Sequence, residues 1–389
     1  MTFVTSKCRV LAACTYLWFM KAEAECHQTS VGNSNRLGPY SFIKPVAVSK
    51  IGSLLTSDSA RELVEELIAQ KGKCARADKP RMPTVSFLIQ HFRRPLSLQL
   101  VIERLMLYED GQVIVNDDSG EDHKRISRLL GENDVYINLK DVHEIRSYNM
   151  LSRVSDGEIL CFLQDDDIPP TSTSWVENAV ALFQAHPKLS MLGGLSGWNL
   201  VTRKGHNQET YGQAYHGRAF RELPFLCPYT NQSFMFVQAV NLGPIFVRSS
   251  VFFEVGQFLR EFSCPGSPGM YFETELSLRM WELGWQVGVY DAGNFRHHVV
   301  GDIDPKTMKT NKDYAQYRAE RSFNGKKNRE ITHALYGEKF KEHMKKIERA
   351  STGLIRISQK QKVRKVKRNG KRDKIQSLAN FKVEHYEID

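Results

Sequence analysis

The chain has no run of 18 apolar residues, which excludes a conventional membrane-spanning helix along its 389 positions. Cysteine is scarce: seven residues and no Cys-x-x-Cys pair, so neither a disulfide scaffold nor a zinc or thioredoxin-type motif is supported. No internal repeat is found, which excludes a solenoid. What is there is globular in composition. Hydrophobic residues make up 41%, too many for wholesale disorder, and the length allows a sizeable core in one large or two to three ordinary domains.

The net charge of +10 is unevenly placed. Residues 360–374 hold nine Lys/Arg against one Asp, and residues 318–374 hold 20 basic and six acidic side chains, a net of +14. Residues 1–317 carry 33 basic and 35 acidic groups, a net of −2. The basic character is therefore expected in a C-terminal appendage. The run at 360–374 lacks interleaved aromatics, which argues against a stacking platform for nucleic acid. Contact with a membrane or an acidic glycan remains open for it, beside the plain reading of a solvated tail.

At the N-terminus, Lys7 and Arg9 precede an apolar stretch from Val10 to Met20, followed by Ala22-Glu23-Ala24. This three-part order is that of a secretory signal peptide, expected over residues 1–24, and it implies the ER or Golgi lumen rather than the cytoplasm. Residues 25–82 read as a stem with one helix at 58–70, a core domain spans 83–300, a helical extension covers 301–353, and a basic tail runs over 354–389.

Within the core, strands at 85–89, 112–115 and 158–163 alternate with helices at 96–107 and 122–130, a pattern of an α/β domain with a mainly parallel sheet. Cys161, inside an apolar strand, is the natural candidate for a buried thiol. Two of these strands end in carboxylates. Gln164-Asp165-Asp166-Asp167 follows one, and Asn116-Asp117-Asp118-Ser119-Gly120 follows the other. Ligands of open α/β sheets bind beyond the carboxyl ends of strands. Three consecutive carboxylates repel one another unless a cation or donors stabilise them, and their hard oxygens suit Mg²⁺ or Mn²⁺. An acidic turn and a helix cap would explain the same residues without a ligand.

The order of these pieces resembles the inverting glycosyltransferases of family 2, which have the Rossmann-like GT-A fold. Val85 to Pro95 looks like that family's opening strand and loop, and Asn116 to Gly120 like its nucleoside-binding turn with Ser and Gly exchanged. Ser155 to Glu158, Phe162-Leu163 and the acidic triplet look like the approach to its metal motif. Val255 to Phe258, then Glu273 to Arg279 with Gly284-Trp285, resemble the segment and helix that carry its base. The resemblance covers roughly 83–300. It implies a mixed, mainly parallel sheet flanked by helices, with a helical and basic C-terminal extension.

For the site, the resemblance implies Glu273 as the base and Gln90, Asp117, Asp118, Arg146 and Asp165 about the nucleotide-sugar. It implies Asp166 and Asp167 as metal ligands, with His297 or His298 completing the set. Three departures stand. Gln164 occupies the first metal-motif position, so Asp165 with Asp167 is the alternative ligand pair. Phe272-Glu273 replaces a Glu-Asp pair, and the family's Arg-Asn falls on either Arg146 or Tyr148-Asn149. The implied activity is transfer of a sugar from a nucleoside-diphosphate sugar, UDP-linked in preference, to a glycan, protein or lipid hydroxyl with inversion, aided by Mn²⁺ or Mg²⁺. The rival readings are a non-catalytic glycan binder of the same fold and an anion- or nucleic-acid-binding protein working through its tail. Arg248 is read as a surface or ion-paired residue rather than phosphate-binding, and the tryptophans at 175, 198, 281 and 285 as core rather than acceptor groove.

Overall fold

A computed structural model describes residues 84–140, 142–200, 209–213, 220–263, 267–297 and 312–357, with His297 and 312–318 described by backbone alone. The expected leader, the stem with its helix, His298 and the tail beyond 357 lie outside the described residues. No helix among the described residues is long and apolar enough to cross a membrane.

The first half is a run of strand–helix units: β1 (Val85–His91), α1 (Pro95–Leu105), β2 (Gly111–Asp117), α2 (His123–Leu129), β3 (Val135–Ile137), α3 (His143–Val154) and β4 (Ile159–Gln164). Proline at the first turn of α1 needs no N–H there, and Leu98, Val101, Ile102 and Leu105 give the helix one buried stripe. All seven residues of β1 are buried, as expected of a strand covered on both faces.

The chain then becomes irregular. It forms β5 (Asp167–Ile168), α4 (Ser174–Ala185), β6 (Leu189–Gly193), β7 (Ser196–Asn199), β8 (Glu209–Gly212), β9 (Phe225–Leu226), β10 (Phe234–Phe236), β11 (Ala239–Val240), β12 (Ile245–Arg248) and α5 (Ser249–Glu254). After these come α6 (Phe272–Glu282), β13 (Gln286–Tyr290), β14 (Arg296–His297), α7 (Lys312–Tyr336), α8 (Phe340–Ala350) and β15 (Ile355–Arg356).

The main sheet has eight strands in the order β10-β13-β6-β12-β4-β1-β2-β3. The pairs β4–β1, β1–β2, β2–β3 and β13–β6 are parallel, while β12 and β10 run antiparallel to their neighbours. The mixed, mainly parallel sheet flanked by helices is thus the expected fold class. Strand order reverses between β1 and β4, because β2 and β3 lie on one side of β1 and β4 on the other. That crevice is where ligands of such sheets bind.

An aromatic cluster fixes α3 and α6 to this sheet. Tyr148 meets Phe162 edge-on at 5.3 Å, and Phe258 meets Phe272 at 4.8 Å. Each such ring contributes about 1.5–3 kcal/mol by burial. Asn149 adds a polar clasp, donating to the Phe258 carbonyl and accepting from its N–H. Trp175 and Trp281 are buried, Cys161 is a buried free thiol, and Arg248 donates to the carbonyls of Leu189 and Phe183 beside the end of α4.

The C-terminal helices are docked rather than appended. Tyr336 donates to Glu275 on α6 at 2.7 Å, and Asn328 donates to the carbonyls of Phe262 and Met270. Glu282 gathers Lys339, His343 and Lys346 from the same extension. Part of the basic surplus is therefore used in packing. Beyond α8, β15 pairs antiparallel with β9.

Candidate active site

The crevice between β1 and β4 collects the acidic residues because parallel register brings the strand ends level. His91 lies opposite Asp117, and Gln90 lies between Asn116 and Gln164.

At the end of β2, Asp117 is fully buried and serves its own loop. One carboxylate oxygen accepts from the Ser119 hydroxyl at 2.7 Å and from the N–H groups of Ser119 and Gly120; the other accepts from the Asp122 N–H and the Tyr136 hydroxyl. Burial works to raise its pKa, but these donors and the nearby His91 charge hold it below the ordinary carboxylate value. Asp118 accepts from the N–H of Val142 at 2.6 Å and of His143 at 3.2 Å, capping α3, and from Gln90 Nε2 at 3.3 Å. Burial pushes its pKa up to about 6.

At the end of β4 basic side chains join the backbone donors. Asp165 accepts from the Phe92 N–H at 2.8 Å and from Arg94 at 3.1 Å, and faces His91 Nδ1 at 3.0 Å. The other His91 nitrogen lies 2.9 Å from Asp122. Burial works to lower the pKa of His91, yet the hydrogen bond and charge of Asp165, the hydrogen bond to Asp122 and the charge of Asp117 raise it overall. Arg94 also reaches Asp166 at 2.7 Å, and the Asp166 side chain stays partly exposed. Asp167 is buried and accepts from the Gln164 N–H at 2.9 Å.

The fit to a divalent cation can be judged from these donors. His91, Asp117 and Asp122 bring ligand atoms within 4.8 Å of one another, but both His91 nitrogens and both Asp117 oxygens are already committed. Asp165 is committed as well. Asp166, a hard oxygen donor with an exposed edge, fits. The strand carrying His297 lies beside Asp167, directly opposite it in the β14–β5 pair.

Glu273 stands on the first turn of α6. Its Oε2 is buried without a hydrogen-bond partner among the described residues, and burial pushes its pKa up to about 7, with Arg321 acting against that shift and Glu144 with it. Glu144, on α3, itself accepts from the Gly269 N–H at 3.1 Å. Tyr148 links the start of α6 to the triplet: it packs on Phe272, the residue before Glu273, donates to the Leu163 carbonyl just before the triplet, and feels the charges of Asp167, Asp165 and Asp166. Arg146 turns instead to Ser263, in the segment leading to α6, at 3.1 Å.

Sequence reasoning did not single out Arg94, His91, Glu144 or Gly243. The first two sit at the end of β1, where a basic pair facing two acidic strand ends is a usable signal once the strands are placed. Gly243 is legible only in three dimensions. Its φ is +92°, and an added Cβ would stand 2.8 Å from the carboxyl carbon of Asp167.

No protein-family model matches the chain, and neither does any curated protein. Among solved structures, S. aureus TarS is similar at a TM-score of 0.39 and 12% identity, over 56% of this chain and 37% of that one. S. aureus TarS 1-349 is similar at 0.38 and 12%, over 56% and 60% respectively. The chain thus spans less than two thirds of either, and a likeness this partial leaves function to be argued from the site.

Proposed function

We propose that the protein is a glycosyltransferase that moves a sugar from a nucleoside-diphosphate sugar to an acceptor hydroxyl, with inversion. The observation that carries this reading is Glu273, whose buried, unpartnered oxygen and pKa of about 7 suit a general base working near neutral pH. Support also comes from the acidic crevice at the sheet's switch point and from the family 2 resemblance of the motifs around it.

In this reading the donor enters beyond β1, β2 and β4. Gln90, Asp117 and Asp118 define the nucleoside side, the two carboxylates acting by fixing the turn and the start of α3. Asp166 and Asp167 hold Mn²⁺ or Mg²⁺, with His297 or His298 completing the set. Asp165 orients His91 and Arg94 rather than serving as a ligand. The bound cation supplies charge stabilisation for a departing diphosphate. Glu273 takes the proton from the acceptor hydroxyl, and Glu144 raises its basicity. Arg146 supports the segment that leads to α6.

The test is release of nucleoside diphosphate from a panel of UDP- and GDP-sugars with Mn²⁺. Glu273→Gln is expected to lower the rate by about 10²–10⁴ while leaving the fold intact. In the wild type, kcat/KM should rise with pH through about 7, as Glu273 loses its proton. No release from any donor would favour the second reading, a glycan-binding domain without transfer, which the Arg94 contacts with Asp165 and Asp166 otherwise support.

A further inference from the structure

We propose that Arg94 is the resident cation of the acidic crevice. It competes with a divalent metal ion for Asp166 and turns toward the donor's diphosphate when the ion takes its place. This rests on the donor-site reading above and adds a residue to it.

Charge requires some such group. Asp117, Asp122, Asp165, Asp166 and Asp167 converge on the ends of β1, β2 and β4, and the side chains of His91 and Arg94 are bonded among them. His91 is fully buried and clamped between Asp165 and Asp122, so it stays. Arg94 differs. Its side chain is 30% exposed, and one guanidinium nitrogen spans Asp165 at 3.1 Å and Asp166 at 2.7 Å.

The two carboxylates would respond differently to its departure. Asp165 keeps the Phe92 N–H at 2.8 Å and His91 at 3.0 Å, and so holds its place. Asp166 keeps an exposed edge on which a hard cation could sit. Arg94 immediately precedes α1, so a guanidinium leaving Asp166 remains at the mouth of the crevice. There, a planar fork of donors is matched to phosphate oxygens. The metal and the nucleotide should therefore bind with positive coupling: the ion evicts Arg94, and the diphosphate receives it.

The experiment titrates the full chain with Mn²⁺ alone by calorimetry, then repeats it with UDP present. R94Q should bind Mn²⁺ alone about fivefold more tightly than wild type, the size of one partly exposed ion pair. R94K retains a point charge but loses the fork, and should fall between the two. UDP should tighten Mn²⁺ binding more in wild type than in R94Q. Equal or weaker Mn²⁺ binding by R94Q, or equal gain from UDP in both proteins, overturns the assignment while leaving the donor site standing. Failure of every protein to bind Mn²⁺ even with UDP overturns both. If R94Q does not fold, R94K decides, and wild-type affinity in it rejects the competition.

Discussion

At the end of β2, Asp117 is surrounded by donors of its own loop and Asp118 by the first N–H groups of α3; at the end of β4, Asp165 and Asp166 share the partly exposed side chain of Arg94, while buried His91 holds Asp165. In sequence the two clusters look alike, three or four acidic residues after an apolar strand. The difference lies in the kind of partner. A backbone N–H is fixed by the fold, so a carboxylate it satisfies is part of the scaffold. A guanidinium on a flexible stem can leave, so a carboxylate it satisfies is available for exchange.

Substitutions should separate the two. Asp117→Ala strips a carboxylate from five buried or half-buried donors and should cost about 3–5 kcal/mol in urea unfolding, the largest effect on stability expected here. Asp166→Asn should stay within about 0.5 kcal/mol of wild type and instead lose most nucleoside-diphosphate release. Equal stability losses in these two would break the distinction. Asp118→Ala, removing the cap of α3, should cost about 1–2 kcal/mol. Gly243→Ala should push Asp167 aside and lower Mn²⁺ affinity at near-normal helical content by circular dichroism.

The smallest effect concerns pH. Burial opposes the charge on His91, but Asp165 and Asp122 raise its folded pKa above the ordinary 6.5. Its contribution to stability is then full below 6.5 and disappears as pH rises through the higher folded value. His91→Gln should flatten that part of the stability–pH curve, and an unchanged slope would place the charge elsewhere.

Much of the scaffold was legible in the sequence. The strand at 85–89 extends to His91, and those at 112–115 and 158–163 fall within one or two residues of β2 and β4, because apolar runs ending in turn residues leave little choice. The antiparallel insertion of β12 between β4 and β6 was not legible, since register between distant strands is set by packing rather than local pattern. For the site, residue types were readable but not their partners. The triplet announces a charge problem, whereas the answer, His91 and Arg94, comes from the end of β1 and the loop after it, about 70 residues earlier. Glu273 reads as an ordinary first-turn helix charge until its oxygen is seen to be buried.

The clasp around Glu282 bears on where this chain can be cut. Helix α6 carries Glu273 in its first turn and ends with Glu282, and that far end is gripped by Lys339, His343 and Lys346. Trimming to the motif-bearing stretch, 83–300, would release one end of the helix on which Glu273, the proposed base, is mounted. A shortened protein meant to preserve chemistry should keep its chain through Ile357, whose N–H returns to the Pro224 carbonyl. The minimal folded unit is therefore larger than the motif-bearing stretch.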